Sequence, residues 1–186
     1  AARKALALAD GATPAERALI DAVQLRYADP PPANRASEDK AYADAMRAVW
    51  KAHPDDADVG TLFAESMMDL RPWDLWKPDG MPQPGTDEIL AALEAVLARA
   101  PEHPGANHFY IHAVEASPHP ERALPSAHRL RGIAPGAGHL VHMSSHVYLR
   151  VGRYHDASLA NERAIAADES YLAQCNAQSF YPLGYY

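Results

Sequence analysis

Apolar residues recur along this chain at three- and four-residue intervals. No segment sustains apolar–polar alternation over strand length with hairpin turn chemistry, so the pattern predicts an all-α protein. Thr13, Pro14 and Glu16 place an N-cap, a first-turn proline and a capping-box carboxylate in order, opening a helix through about Tyr27. Asp29 to Ala36, with three consecutive prolines, reads as an extended linker, because each ring removes an amide donor and restricts the residue before it. Ser37 is the expected cap of a helix to about Ala52. After His53-Pro54, a helix from about Asp56 to Leu70 carries Val59, Leu62, Phe63 and Met67 as a buried stripe. Thr86 opens a helix to about Arg99, and others are expected near Pro104 to Ala116, Pro120 to Ile133, Gly138 to Val151 and Tyr154 to Ala167. Their short connections imply antiparallel neighbours. Between Arg71 and Gly85 lie four prolines, two tryptophans and two glycines, a composition suited to an ordered insertion pinned by its tryptophans. The Trp73 to Trp76 segment reads as a hydrophobic plug, or else as a roof over one end of a groove.

Residues 104–137 and 138–171 align without a gap at a spacing of 34, a period typical of helical repeat architectures. His108 then matches His142, His112 matches His146, and Ala123 matches Ala157. In the second unit Ser145, Tyr148, Gly152, Tyr154, Ala157 and Ala164 occupy the small, aromatic and glycine positions of the tetratricopeptide (TPR) pattern, and the chain resembles that family. Gly152 suits a tight inter-helix turn, and Ala157 and Ala164 suit close helix approach. Aligning His53-Pro54 with His103-Pro104 recovers an earlier unit at an offset of 50, which is 34 plus a 16-residue excess supplied by the insertion. Glu65 then aligns with Glu115, and Asp58 with His108. The runs His53-Pro-Asp-Asp-Ala-Asp-Val, Pro72-Trp-Asp-Leu-Trp, Asn107-His-Phe-Tyr-Ile-His-Ala-Val-Glu and Gly138-His-Leu-Val-His-Met-Ser-Ser-His are similar to those of a bacterial TPR subfamily. That resemblance spans roughly Tyr42 to Tyr171. It implies TPR-like antiparallel hairpins stacked as a short right-handed α-solenoid over residues 1–186, with units at about 38–70, 86–103, 104–137 and 138–171, as part of a longer protein.

The resemblance also implies which side chains meet a ligand, since the second, fifth, ninth and twelfth positions of a TPR line its concave groove. Here they select His108, His112 and Glu115 from one helix, His139, His142 and His146 from the next, and Asp58 and Glu65 from a third. Histidines four apart share a helical face, so each His-x-x-x-His pair can aim two imidazoles at one point. Packed helices about 8–10 Å apart allow side chains from both to meet. His108, His112, His142 and His146, with Glu65 or Glu115, form a candidate metal set. Imidazole ligands favour Zn, Fe, Cu or Ni over Ca or Mg. Two other readings use the same residues: ordinary groove histidines bonded to Glu65 or Glu115, or an anion grip on protonation that adds Arg150. His53, His103 and His119 precede prolines and read as turn or capping residues. His128 and His155 read as outward or locally packed, and Met67, Met68 and Met143 as core.

Hydrophobic residues make up 48% of the chain and charged residues 22%, and no apolar run approaches the ~20 residues of a membrane span. The expectation is a soluble protein, either cytoplasmic or exported with its signal segment absent. A net charge of -7 offers no basic stripe for a nucleic-acid backbone. Cys175, the one cysteine, provides neither a disulfide nor a thiolate cage. Ser144 and Ser145 lie near histidines in sequence, but there is no Gly-x-Ser-x-Gly elbow, and no phosphate loop or dinucleotide fingerprint. Two functions follow. One is a binding scaffold whose His-rich groove takes a peptide, a protein segment or a small ligand, with a transition metal as an added feature. The alternative is a metal-dependent enzyme, a hydrolase or oxidoreductase, with Glu65 or Glu115 as ligand or general base. Self-association through an uncapped terminal helix near Leu172 to Tyr186 is a further expectation.

Overall fold

The computed structural model describes residues 1–175, which form helices packed in neighbouring pairs and contain no strand. The chain divides into two compact units. One comprises Ala1–Lys77 with Pro82–Arg99, and the other Pro78–Met81 with the chain from Ala100 on.

In the first unit α1 (Ala2–Ala7), α2 (Pro14–Arg26), α3 (Ala36–Ala52), α4 (Ala57–Met68) and α5 (Thr86–Arg99) each pack on the next. The capping box at α2 is present: the Thr13 hydroxyl accepts from the Glu16 amide, and the Glu16 carboxylate accepts from the Thr13 amide at 2.8 Å. Asp56 caps α4 by accepting from the Val59 amide at 3.0 Å. α3 starts two residues earlier than expected, with Arg35 and not Ser37 at the cap position. The Asn34 side-chain oxygen takes the Ala36 amide at 2.9 Å, so Ser37 falls inside the first turn and donates to Glu38 instead. α1 carries no cap signal and buries no residue, which is why apolar periodicity does not reveal it. Met46, Val59, Phe63, Ala64, Leu93 and Val96 form the core of this unit.

The 71–85 insertion is ordered, but the expected anchor is wrong at Trp73, which is 82% exposed with a positive φ of 62°. Leu75 does the anchoring. Its side chain is buried, and its carbonyl accepts from the Gln83 amide at 2.9 Å and from the fully buried Thr86 hydroxyl at 2.7 Å.

The second unit contains α6 (Pro104–Val114), a 3₁₀ turn at Pro120–Ala123, α7 (Leu124–Ile133), α8 (Gly138–Arg150) and α9 (Tyr154–Gln174). α6 packs on α7 and α8, α7 on α8, and α8 on α9. The helix expected from Pro120 is interrupted because Pro125 has no N–H to return to Glu121. Gly152 makes the α8–α9 turn with φ 77°, as its place in the repeat predicts. α9 runs past the expected end at Ala167, since no glycine or proline interrupts the chain before Cys175. Its buried residues Ala157, Ala160 and Ala164 permit close approach, while Ile111, Val114, Leu130, Met143, Val147 and Tyr148 fill the core. From Asn176 on, the terminal segment invoked for self-association lies outside the described residues.

α4 passes close to its neighbours at Gly60: a Cβ there meets Val96 Cγ2 at 2.6 Å and the Trp50 ring at 2.8 Å. Alanine gains about 1 kcal/mol of helix propensity over glycine, but overpacking a filled core costs about 1–3 kcal/mol. Because branched Val96 has little rotamer freedom in a helix, overpacking dominates. Gly60→Ala should therefore lower the urea midpoint; a raised midpoint indicates that α4 is not held this closely.

Candidate functional site

α6 and α8 each carry a His-x-x-x-His pair, and their packing brings five imidazoles and one carboxylate together. On α6, the ring centroids of His108 and His112 lie 4.9 Å apart. On α8, those of His142 and His146 lie 4.8 Å apart. Between the helices His108 meets His139 at 5.0 Å and His112 meets His146 at 5.2 Å, both edge to face. The polar contacts are closer. His108 Nε2 lies 3.2 Å from His139 Nε2, and His142 Nε2 lies 2.9 Å from His146 Nε2.

Glu115 caps the C-terminal end of α6, where the helix dipole disfavours a negative charge. Two imidazoles compensate: His112 Nδ1 donates to one carboxylate oxygen at 3.0 Å and His146 Nδ1 to the other at 2.6 Å. Burial works to raise the Glu115 pKa, but these two hydrogen bonds outweigh it and hold the carboxyl at about 2. A carboxylate that stays ionised can only accept, so both Nδ1 atoms carry the proton. The third oriented ring is His142, whose Nδ1 faces the Asn161 side-chain oxygen at 2.8 Å and the Ser145 hydroxyl at 3.3 Å.

Burial sets the protonation of the remaining rings. It pushes His108 down to about 3, with His112, His139 and His146 adding like-charge repulsion. Burial likewise lowers His139 and His142, against the opposing charge of Asp168 near the first and the Asn161 hydrogen bond at the second. The cluster at neutral pH is one anionic carboxylate amid uncharged His108, His139 and His142. Two groups have ligand atoms within 4.8 Å of one another, His108 with His112 and His139, and His112 with Glu115 and His146. Neutral imidazole nitrogen and ionised carboxylate are the forms that bind a transition metal.

The other residues singled out in the sequence take no part in these contacts. Glu65 belongs to the first unit, where Arg26 binds both its oxygens at 3.0 Å and also reaches Asp69 at 2.6 Å. Asp58 is exposed in the first turn of α4, and Arg150 is exposed at the end of α8. His103 is the cap of α6, its Nδ1 accepting from the Ala106 amide at 3.1 Å. His53 and His119 also flank helices, while His128 and His155 are exposed. Sequence reasoning missed Asn161. Its signal is a polar residue on the α9 stripe otherwise made of Ala157, Ala160 and Ala164, and its counterpart 34 residues earlier is Ala127, so the repeat does not reveal it. Asp168, buried further along that helix, lies against Gly138 at the start of α8.

Neither a protein-family model nor a curated protein matches the chain. Among solved structures, the TPR-like protein MamA is similar in fold. MamA of MSR-1 shares 15% identity with a TM-score of 0.56, over 91% of this chain and 95% of that one. MamA of AMB-1 shares 16% with a TM-score of 0.54, over 99% and 95%. The fold is thus an all-α, TPR-like helical repeat.

The buried neutral rings make stability depend on pH. An unfolded imidazole takes a proton below about 6.5, whereas folded His108 stays neutral down to about 3. Unfolding in that window takes up protons, so stability falls as pH drops, by up to about 1.4 kcal/mol per pH unit for each proton. Glu115 adds a further loss below 4.5, its ordinary value, down to about 2. Urea unfolding in chelator should show weaker folding at pH 5 than at pH 7.5, with a shallower dependence in His108→Gln. Equal stability at both pH values contradicts the burial of neutral imidazoles.

Proposed function

We propose that this protein is a TPR-type binding scaffold whose second unit carries a transition-metal centre among the histidines of α6 and α8. The observation carrying this reading is the pair of Nε2 atoms of His108 and His139 at 3.2 Å, with a ligand atom of His112 within 4.8 Å of both. Two imidazole nitrogens about 2.0–2.1 Å from one zinc ion lie about 2.9 Å apart at a right angle and about 3.3 Å apart at the tetrahedral angle. His108 and His139 fit that spacing. His112 completes a three-nitrogen set, and its Nδ1–H···Glu115 bond leaves Nε2 as the donor atom, the carboxylate–histidine arrangement that orients metal ligands.

Three nitrogen ligands leave a fourth position for solvent or for a group on a partner. The ligand class this favours is a peptide, protein segment or small molecule that presents a carboxylate or imidazole to the ion. The repeat fold supports the scaffold part of the reading, since such arrays expose extended surfaces to partners. A hydrolase built on the same centre needs a general base, and Glu115 is unsuited to that role: a carboxyl at about 2 is far from the near-neutral value that proton abstraction favours.

Elemental analysis of untagged protein, purified without chelator, tests the reading. Bound Zn, Fe, Cu or Ni at stoichiometric level, lost in both His108→Ala and His112→Ala with helicity retained, is the expected result. Absence of all four metals after reconstitution overturns the metal centre.

A further inference from the structure

We propose that Asp168 is a positioning residue for the metal centre: its buried carboxylate, brought to the start of α8 by α9, orients the His139 ring so that Nε2 is the nitrogen offered to the ion. This deepens the metal reading above and rests on it.

Asp168 is 8% exposed, and its Oδ2 atom is shut off from solvent without a hydrogen-bond partner among the described residues. An unsatisfied buried carboxylate oxygen costs stability, and packing alone gives no reason to keep one here. The backbone beside it nevertheless makes room for the group. A Cβ on Gly138 would lie 2.2 Å from Asp168 Oδ1 and 2.7 Å from Oδ2, so the carboxylate occupies a place that only glycine leaves open. Gly138 begins α8 and directly precedes His139.

His139 Nε2 is turned to α6, 3.2 Å from His108 Nε2, whereas Nδ1, the nitrogen nearer the backbone of its own residue, is enclosed in the protein. Asp168 comes from α9, which packs on α8. Burial is the largest influence on the proton affinity of this ring and lowers it, with His142, His112 and His146 acting in the same direction, and Asp168 opposes them. A carboxylate beside an imidazole favours the tautomer whose N–H faces the negative charge, and it makes the other nitrogen a better metal ligand. With the proton on Nδ1, His139 keeps the lone pair of Nε2 for the ion. Glu115 plays the same part for His112 through a hydrogen bond of 3.0 Å. Two of the three ligands then have a carboxylate behind them, one from α6 and one from α9. The start of a helix also attracts a carboxylate through the helix dipole, and a role confined to that attraction leaves the His139 tautomer and the ion unaffected.

Two measurements on the full, chelator-stripped chain test the assignment: zinc affinity by competition with a chromophoric chelator, and long-range nitrogen–proton NMR of the metal-free protein. NMR should place the His139 proton on Nδ1 in the parent and show a gain of the Nε2–H form in Asp168→Ala. Asp168→Ala and Asp168→Asn should each weaken zinc binding by about 10- to 100-fold with helicity retained, the usual effect of losing an outer-shell partner. Gly138→Ala improves helix propensity but displaces the carboxylate, and it should weaken zinc binding as well. A His139 proton on Nε2 in the parent, or zinc affinity untouched by Asp168→Ala and Gly138→Ala, overturns the role of Asp168 and leaves the metal centre standing. Failure of the parent to bind zinc overturns the metal reading itself.

Discussion

The carboxylate of Glu115 is the constraint on which the site depends. It stands at the C-terminal end of α6, where the helix dipole opposes it, and in a half-buried position that works to raise its pKa. It remains ionised because His112 from its own helix and His146 from α8 each give it a proton-bearing nitrogen. The same two bonds put a proton on Nδ1 of both rings, and His146 Nε2 lies 2.9 Å from His142 Nε2. Without Glu115 the two histidine pairs remain on facing helices, but the two hydrogen bonds that orient His112 and His146 are lost.

The first unit handles the corresponding residue differently. Glu65 occupies the register of Glu115, yet it receives the two-pronged guanidinium of Arg26, which also reaches Asp69 and lies 4.9 Å over the Tyr42 ring. A guanidinium is permanently charged and has no lone pair to offer, so this arrangement ties α2 to α3 and α4 without presenting a free nitrogen. Imidazole can satisfy a carboxylate through one nitrogen and still present the other to a ligand. The carboxylate in this register thus clamps two helices through a guanidinium in the first unit and accepts from two imidazoles in the second.

Much of this was legible in the sequence, for identifiable reasons. Capping residues such as Thr13 and Asp56 act within one turn, so local sequence specifies them. The 34-residue period places His108 with His142 and His112 with His146 at matching depths. Details that depend on long-range contact were not legible. Trp73 is exposed where an anchor was expected, and the pairing of Glu65 depends on Arg26, 39 residues away. The closeness of His139 to His108 is not legible either, because the two rings lie on different helices and outside the i, i+4 pattern. Asn161 comes from α9, outside the helices that line the groove in the repeat pattern.

Crystals of the zinc-loaded protein, with anomalous data collected at the zinc edge, test the central claim most directly. The account predicts a peak within about 2.0–2.1 Å of His108 Nε2 and His139 Nε2, with Glu115 still accepting from His112 and His146. Zinc found at exposed rings such as His155 instead, with the α6–α8 cluster unchanged and free of anomalous density, contradicts it.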